Sequence, residues 1–190
     1  MLFRSYKHPA NPILTAGAPG EWDEAGIERV ALIRVAPGDW RMWYACTGRA
    51  RSIGLATSTD GVAWRKFPGN PVLTPAEPWE GAFLSPTSVL LVDGVFHLYY
   101  WGPGHAFPDP ATGRLPVPPA KYIGLATSPD GIHWTRRGNL GGRHGVVLGP
   151  EPPAINEHPA AGGSGVDAAK VFYLPDATKR PWVMSKHGFR

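Results

Sequence analysis

The chain has 190 residues, 43% of them hydrophobic, with 24 Gly, 22 Pro, 8 Trp and a formal net charge of +4. That is enough for one domain with its own core, and no run of 18 apolar residues offers a membrane span. A single cysteine, Cys46, excludes an internal disulfide and, with an N-terminus that lacks a signal-peptide core, fits a reducing, cytoplasmic setting; the basic residues are scattered, which argues against nucleic acid as a partner.

Residues 1–20 read as loop, with Pro9, Pro12 and Pro19. Asn11-Pro12-Ile13-Leu14 and Trp22 are followed by four strand candidates: Ile27 to Val35, Trp40 to Cys46, Ser52 to Ser58 and Trp64 to Phe67. The pattern then restarts. Asn70-Pro71-Val72-Leu73 and Trp79 precede Leu84 to Val92, Val95 to Trp101, Tyr122 to Ser128 and Trp134 to Arg137. A third start runs from Val166 to Leu174 and from Trp182 to Lys186. Between residues 102 and 120 lies a Pro-rich insertion without a counterpart in the first repeat, read as a long loop over a binding rim.

The strongest repeat is a stretch of twelve residues. Ile53 to Trp64 reads IGLATSTDGVAW, and Ile123 to Trp134 reads IGLATSPDGIHW. IGLATS alternates like a strand, with small residues on one face for close packing. Asp60-Gly61 and Asp130-Gly131 read as tight-turn dipeptides, and each Trp opens the returning strand. Four antiparallel strands per repeat, none able to bury both faces alone, is the logic of a β-propeller blade. The fold class is therefore all-β, a propeller with about 2.5 blades: blade 1 about 21–68, blade 2 about 79–138 and an incomplete blade 3 about 165–187. Closure takes about four blades or more, so further blades would come from a longer parent polypeptide or from a second copy, and the open strand edge after Trp182 predicts a homodimer or an aggregation-prone fragment.

The segments NPIL, DWRMWY, IGLATSTDGVAW, NPVLTPAEPWEG, SPTSVLLVDGVFHLYYWG and IGLATSPDGIHW together resemble the five-bladed propeller glycosidases, the group holding glycoside hydrolase families 43, 32, 62, 68 and 130. The resemblance implies that the first strand of each blade is innermost and that its opening residues line an axial pocket. Glu28, Ser85 and Asp167 fall at those positions. By family 43 analogy, Glu28 would be the general base and Asp167 the residue that orients the acid. Glu28 stands where that family has Asp and lacks the usual following Pro. The fourth-blade proton donor has no counterpart here.

Glycoside hydrolysis needs two carboxyl groups across the scissile bond, roughly 6.5–9.5 Å apart when inverting. Glu28 and Asp167 are the catalytic candidates. Trp22, Asp23, Trp79 and Glu80 are expected at the rim in contact with sugar, and Ser85, Trp101 and His105 in the pocket, since sugar sites pair aromatic faces with a few polar groups. No His/Cys/Asp spacing suits a metal, and no cofactor is implied. The expected partner is a carbohydrate. Three readings stand side by side: a glycoside-hydrolase-like protein completed by further blades, a non-catalytic carbohydrate-binding or protein-interaction module, or an incomplete gene product with no activity of its own.

Overall fold

The computed structural model describes residues 8–48, 51–103, 121–149, 165–173 and 182–189. The first sheet is an antiparallel meander of β1 (Ile27–Ala36), β2 (Asp39–Cys46), β3 (Ile53–Ser58) and β4 (Trp64–Lys66), paired in that order. A linker with one 3-10 turn, Pro78–Glu80, leads to the second sheet of β5 (Ser85–Val92), β6 (Val95–Gly102), β7 (Tyr122–Ser128) and β8 (Thr135–Arg137). A short hairpin of β9 (Asn139–Leu140) and β10 (Arg143–His144) follows. Then β11 (Val146–Leu148) pairs with the part of β7 that β8 leaves open. The last pair is β12 (Gly165–Tyr173) with β13 (Trp182–Phe189). We refer to these three units as blades 1, 2 and 3.

The Asp-Gly dipeptides are not two-residue turns. Each sits in a loop between strands, residues 59–63 and 129–134, that its own side chains build. The Ser58 hydroxyl accepts the Asp60 and Gly61 N–H groups at 3.2 and 2.9 Å, while Asp60 Oδ1 accepts from Val62 and Ala63 at 2.8 Å each. Ser128 and Asp130 repeat the arrangement on Gly131, Ile132 and His133. Gly61 and Gly131 have φ of 79° and 80°, which their lack of a Cβ makes inexpensive.

Blades 1 and 2 share one core, with Trp43 of β2 at its centre against Phe96 and Trp134. Trp43 Nε1 donates to Gly131 O at 2.9 Å and Arg41 to Asp130 O at 2.8 Å, so the blade 2 loop is tied onto blade 1. Tyr99, Trp101 and Ile123 form a second cluster with Ala169 and Val171 of blade 3. The small residues of IGLATS have a particular use. A Cβ on Gly124 would lie 2.6 Å from both the Trp79 and Tyr100 rings, and one on Gly54 would lie 2.5 Å from Trp22. Gly124→Ala is expected to cost about 1–3 kcal/mol through overpacking, read as a lower urea midpoint at unchanged m.

Candidate functional site at the axial mouth

In each sheet the first strand is the inner one, and β1, β5 and β12 come together. Lys170 Nζ on β12 donates to Thr87 O on β5 at 2.8 Å, and Ser88 Oγ on β5 accepts from Val171 N at 3.3 Å. Residues 30–32, 87–89 and Lys170 line an open cavity of about 230 Å³ between them. That is below the roughly 300–1,000 Å³ of drug-sized ligand pockets, so it offers room for a single small group.

The starts of the inner strands form one end of this axis. Glu28 and Ser85 occupy matching register there: Glu28 pairs with Ala45, and Ser85 with Trp101, the residues just after Tyr44 and Tyr100. Glu28 is about a third exposed (31%), and its carboxylate accepts from Arg51 at 3.2 Å. Arg51 reaches it because the backbone around residue 51 is sewn to the segment entering β5, through Arg51 N to Ala82 O at 3.1 Å and Leu84 N to Arg51 O at 2.8 Å. Its guanidinium also lies 4.3 Å from the Phe83 ring centroid, and Phe83 meets Trp101 edge-on at 4.5 Å. Arg29 and Lys121 lie over Trp101 at 5.1 and 5.4 Å. Cations thus occupy the aromatic faces, and sugar stacking on Trp101, which is only 8% exposed, requires Arg29 and Lys121 to move.

Two further features mark this end. Arg29 sits at a bulge of β1 with φ of 41°, a left-handed conformation that a non-glycine residue adopts at a cost. The bulge re-aims the strand opening that carries Glu28. The Ser85 hydroxyl and the Trp101 indole N–H, directly opposite each other, are enclosed without a hydrogen-bond partner. Such orphans are uncommon away from functional or strained sites.

Asp167 lies on β12, between residues 166 and 168 where the pairing shifts; its side chain lies outside the described residues, and so does the Glu28–Asp167 carboxylate separation. His105 and residues 104–120 of the Pro-rich insertion also lie outside them. Among the described residues no cluster of three His, Cys, Asp or Glu could hold a metal.

The four residues expected at the rim are placed elsewhere. Asp23 and Glu80 are 1% and 0% exposed, Trp79 is fully buried and Trp22 half-buried. Each Trp lies on a Tyr of its own blade, Trp22 on Tyr44 and Trp79 on Tyr100. Each acid accepts from that phenol, Asp23 at 3.1 Å and Glu80 at 2.8 Å. Each is paired with a cation from the blade's outer strand, Lys66 Nζ at 2.7 Å and Arg136 Nε at 2.7 Å. These are internal latches, and the physical reason is burial: an enclosed carboxylate whose oxygens are taken by a phenol and a cation is not open to a sugar. The pattern was present in the sequence twice, as Trp-acid, then Tyr in the second strand, then a basic residue two places after the motif Trp. Reading the acids singly missed it.

Burial pushes the Glu80 carboxyl up, but the Arg136 guanidinium and the Ala76 and Glu77 N–H groups outweigh it and hold the group below its ordinary value. Burial, then the neighbouring carboxylate, pushes the Tyr44 and Tyr100 phenols far up, keeping them as donors.

No family model matches the chain. Two uncharacterized proteins of Mycobacterium tuberculosis, from strains CDC 1551 / Oshkosh and ATCC 25618 / H37Rv, are 29% identical over 143 residues, covering 68% of this chain and 42% of theirs. Among solved structures, an N-acetylgalactosamine deacetylase from F. plautii in complex with blood group B trisaccharide superposes with TM-score 0.57 at 16% identity, over 94% of this chain and 49% of that one. A sucrose-6-phosphate hydrolase from Lactobacillus gasseri gives 0.54 at 14%, over 85% and 33%. A structure from a study of family 130 mannoside phosphorylases and glycoside hydrolases gives 0.51 at 16%, over 93% and 46%. The chain spans about half or less of the length of each of these proteins. With that likeness and the observed blade order, the fold is that of a partial β-propeller of the kind these structures share: two four-strand meanders, the second with an added edge segment, and a hairpin of a third blade.

Proposed function

We propose that this chain is a carbohydrate-binding portion of a glycoside-hydrolase-type propeller, holding a sugar at the axial mouth. The observation that carries the reading is the convergence of three inner strands on one cavity, with Glu28, Arg51, Ser85 and Trp101 gathered where two of those strands begin. Glu28 and Arg51 together supply acceptor and donor groups for vicinal hydroxyls, and their ion pair suits binding over proton abstraction. The deacetylase with a similar fold is a structure bound to a trisaccharide, which supports a sugar as ligand class. Hydrolysis would need a second carboxyl group opposite Glu28; Asp167 on a neighbouring inner strand is the candidate within this chain.

Titration calorimetry against a panel of neutral oligosaccharides, with an aryl-glycoside turnover assay alongside, tests this. Binding to at least one saccharide without turnover is expected, weakened about tenfold or more by Glu28→Gln, which is about 1.4 kcal/mol. Turnover abolished by Glu28→Gln or Asp167→Asn would establish the hydrolase reading instead. No binding to any saccharide at millimolar concentration would sink both.

A further inference from the structure

The aromatic faces at the axial mouth are covered, and what covers them is charged. Trp101 has two cations over its ring, Arg29 from the bulge of β1 at 5.1 Å and Lys121 from the residue before β7 at 5.4 Å. Arg51 lies over Phe83 at 4.3 Å, and Phe83 meets Trp101 edge-on. The repeat does not require this arrangement. Ala45 pairs with Ile53 in blade 1 where Trp101 pairs with Ile123 in blade 2, so the large ring belongs to blade 2 alone.

The same ring brings an unmet donor. An indole N–H can only donate, and that of Trp101 is enclosed with no acceptor. The Ser85 hydroxyl on the facing residue of the ladder is enclosed with no partner either. Ser85 is 0% and Trp101 8% exposed. Buried donors without acceptors are costly, so a ligand oxygen that reached them would be held more firmly than at a solvated surface.

Two kinds of sugar meet this mouth differently. To stack on Trp101, either kind must move Arg29 and Lys121 off the ring. A neutral sugar breaks those contacts and offers the cations only hydroxyls. A sugar with an anionic group offers them charge-assisted hydrogen bonds and clears the ring in the same step. Its charged oxygens also accept without needing an acceptor in return, which matches the donors left over here.

We propose that the sugar held at the axial mouth is anionic, with a carboxylate or phosphate group that draws Arg29 and Lys121 from the Trp101 ring as the sugar engages it. The inference rests on the sugar-binding reading above and names its ligand class. Glu28 opposes it little, because Arg51 already holds that carboxylate at 3.2 Å.

Titration calorimetry of the 190-residue chain on matched pairs is the test. The pairs are hexuronic-acid oligosaccharides against their methyl esters, and hexose 6-phosphates against the free hexoses. At least one acidic member is expected to bind about tenfold or more tighter than its neutral partner. Which pair shows the gap separates a carboxylate from a phosphate. The gap should shrink as salt rises from about 0.05 to about 0.5 M. Arg29→Ala/Lys121→Ala should close it from both sides. The acidic member weakens about tenfold or more, and the neutral one tightens about two- to fivefold because the ring is uncovered. If circular dichroism shows that the double variant does not fold, Lys121→Gln alone carries the same comparison. Neutral and acidic members binding equally in every pair would overturn this inference and leave the sugar-binding reading standing. A gap that survives the substitutions would overturn it too, since the charge is then read elsewhere. No binding by any saccharide would remove both.

Discussion

Glu80→Gln is expected to destabilise the protein by about 3–5 kcal/mol, the usual consequence of removing one partner from a buried ion pair. Glu80 is fully enclosed, and its carboxylate holds Arg136 through Nε at 2.7 Å and Nη2 at 2.9 Å, along with the Tyr100 phenol. Glutamine keeps the shape but leaves the guanidinium, 13% exposed, without its countercharge. The double variant Glu80→Gln/Arg136→Met should lie closer to wild type than the single one, since no isolated charge remains inside. Asp23→Asn should cost less, about 1–3 kcal/mol, because Lys66 is 26% exposed and can turn to water. Urea unfolding measures all of these, and a Glu80→Gln loss below about 1 kcal/mol would mean that water already reaches the pair.

The same latch sets an acid limb. A carboxyl held below its ordinary value in the folded state contributes stability that is present above the unfolded value, 4.5 for Glu80, and is lost as pH falls through the folded one. Wild-type stability should therefore drop below about pH 4.5, and Glu80→Gln should flatten that drop.

The second large effect is at Trp79. Trp79→Ala is expected to cost about 3–5 kcal/mol, as for large buried aromatics cut to alanine. Its ring is fully enclosed, stacks on Tyr100 at 5.6 Å and 23°, and meets Tyr122 edge-on at 6.3 Å. Its indole N–H donates to His144 O at 2.8 Å, which ties the linker between blades 1 and 2 to the β9–β10 hairpin. The alanine variant leaves that carbonyl and the Gly124 surface unfilled together. Trp22→Ala is the internal comparison. It sits on Tyr44 and Gly54 in the same way, but half-buried, so its loss should be clearly smaller. Equal losses would show that the linker ahead of blade 1 is as well packed as the one ahead of blade 2.

The sequence by itself determined the all-β class and the strands of the two repeats, because alternation and the recurring Trp act over a few residues each; it placed a break at each Asp-Gly but not the longer loop that Ser58 and Ser128 help to build. It also placed Glu28 and Ser85 in equivalent register, since the repeat carries its own alignment. It missed β9 and β10, two-residue strands that pair only with each other, and β11, which forms against the length of β7 that β8 leaves unpaired. Only the tertiary structure decided which acids are sealed in and which meet solvent. Asp23, Glu80 and Glu28 are alike as letters. Their fates depend on Lys66, Arg136 and Arg51, tens of residues away, and a charge stays inside only where such a partner reaches it.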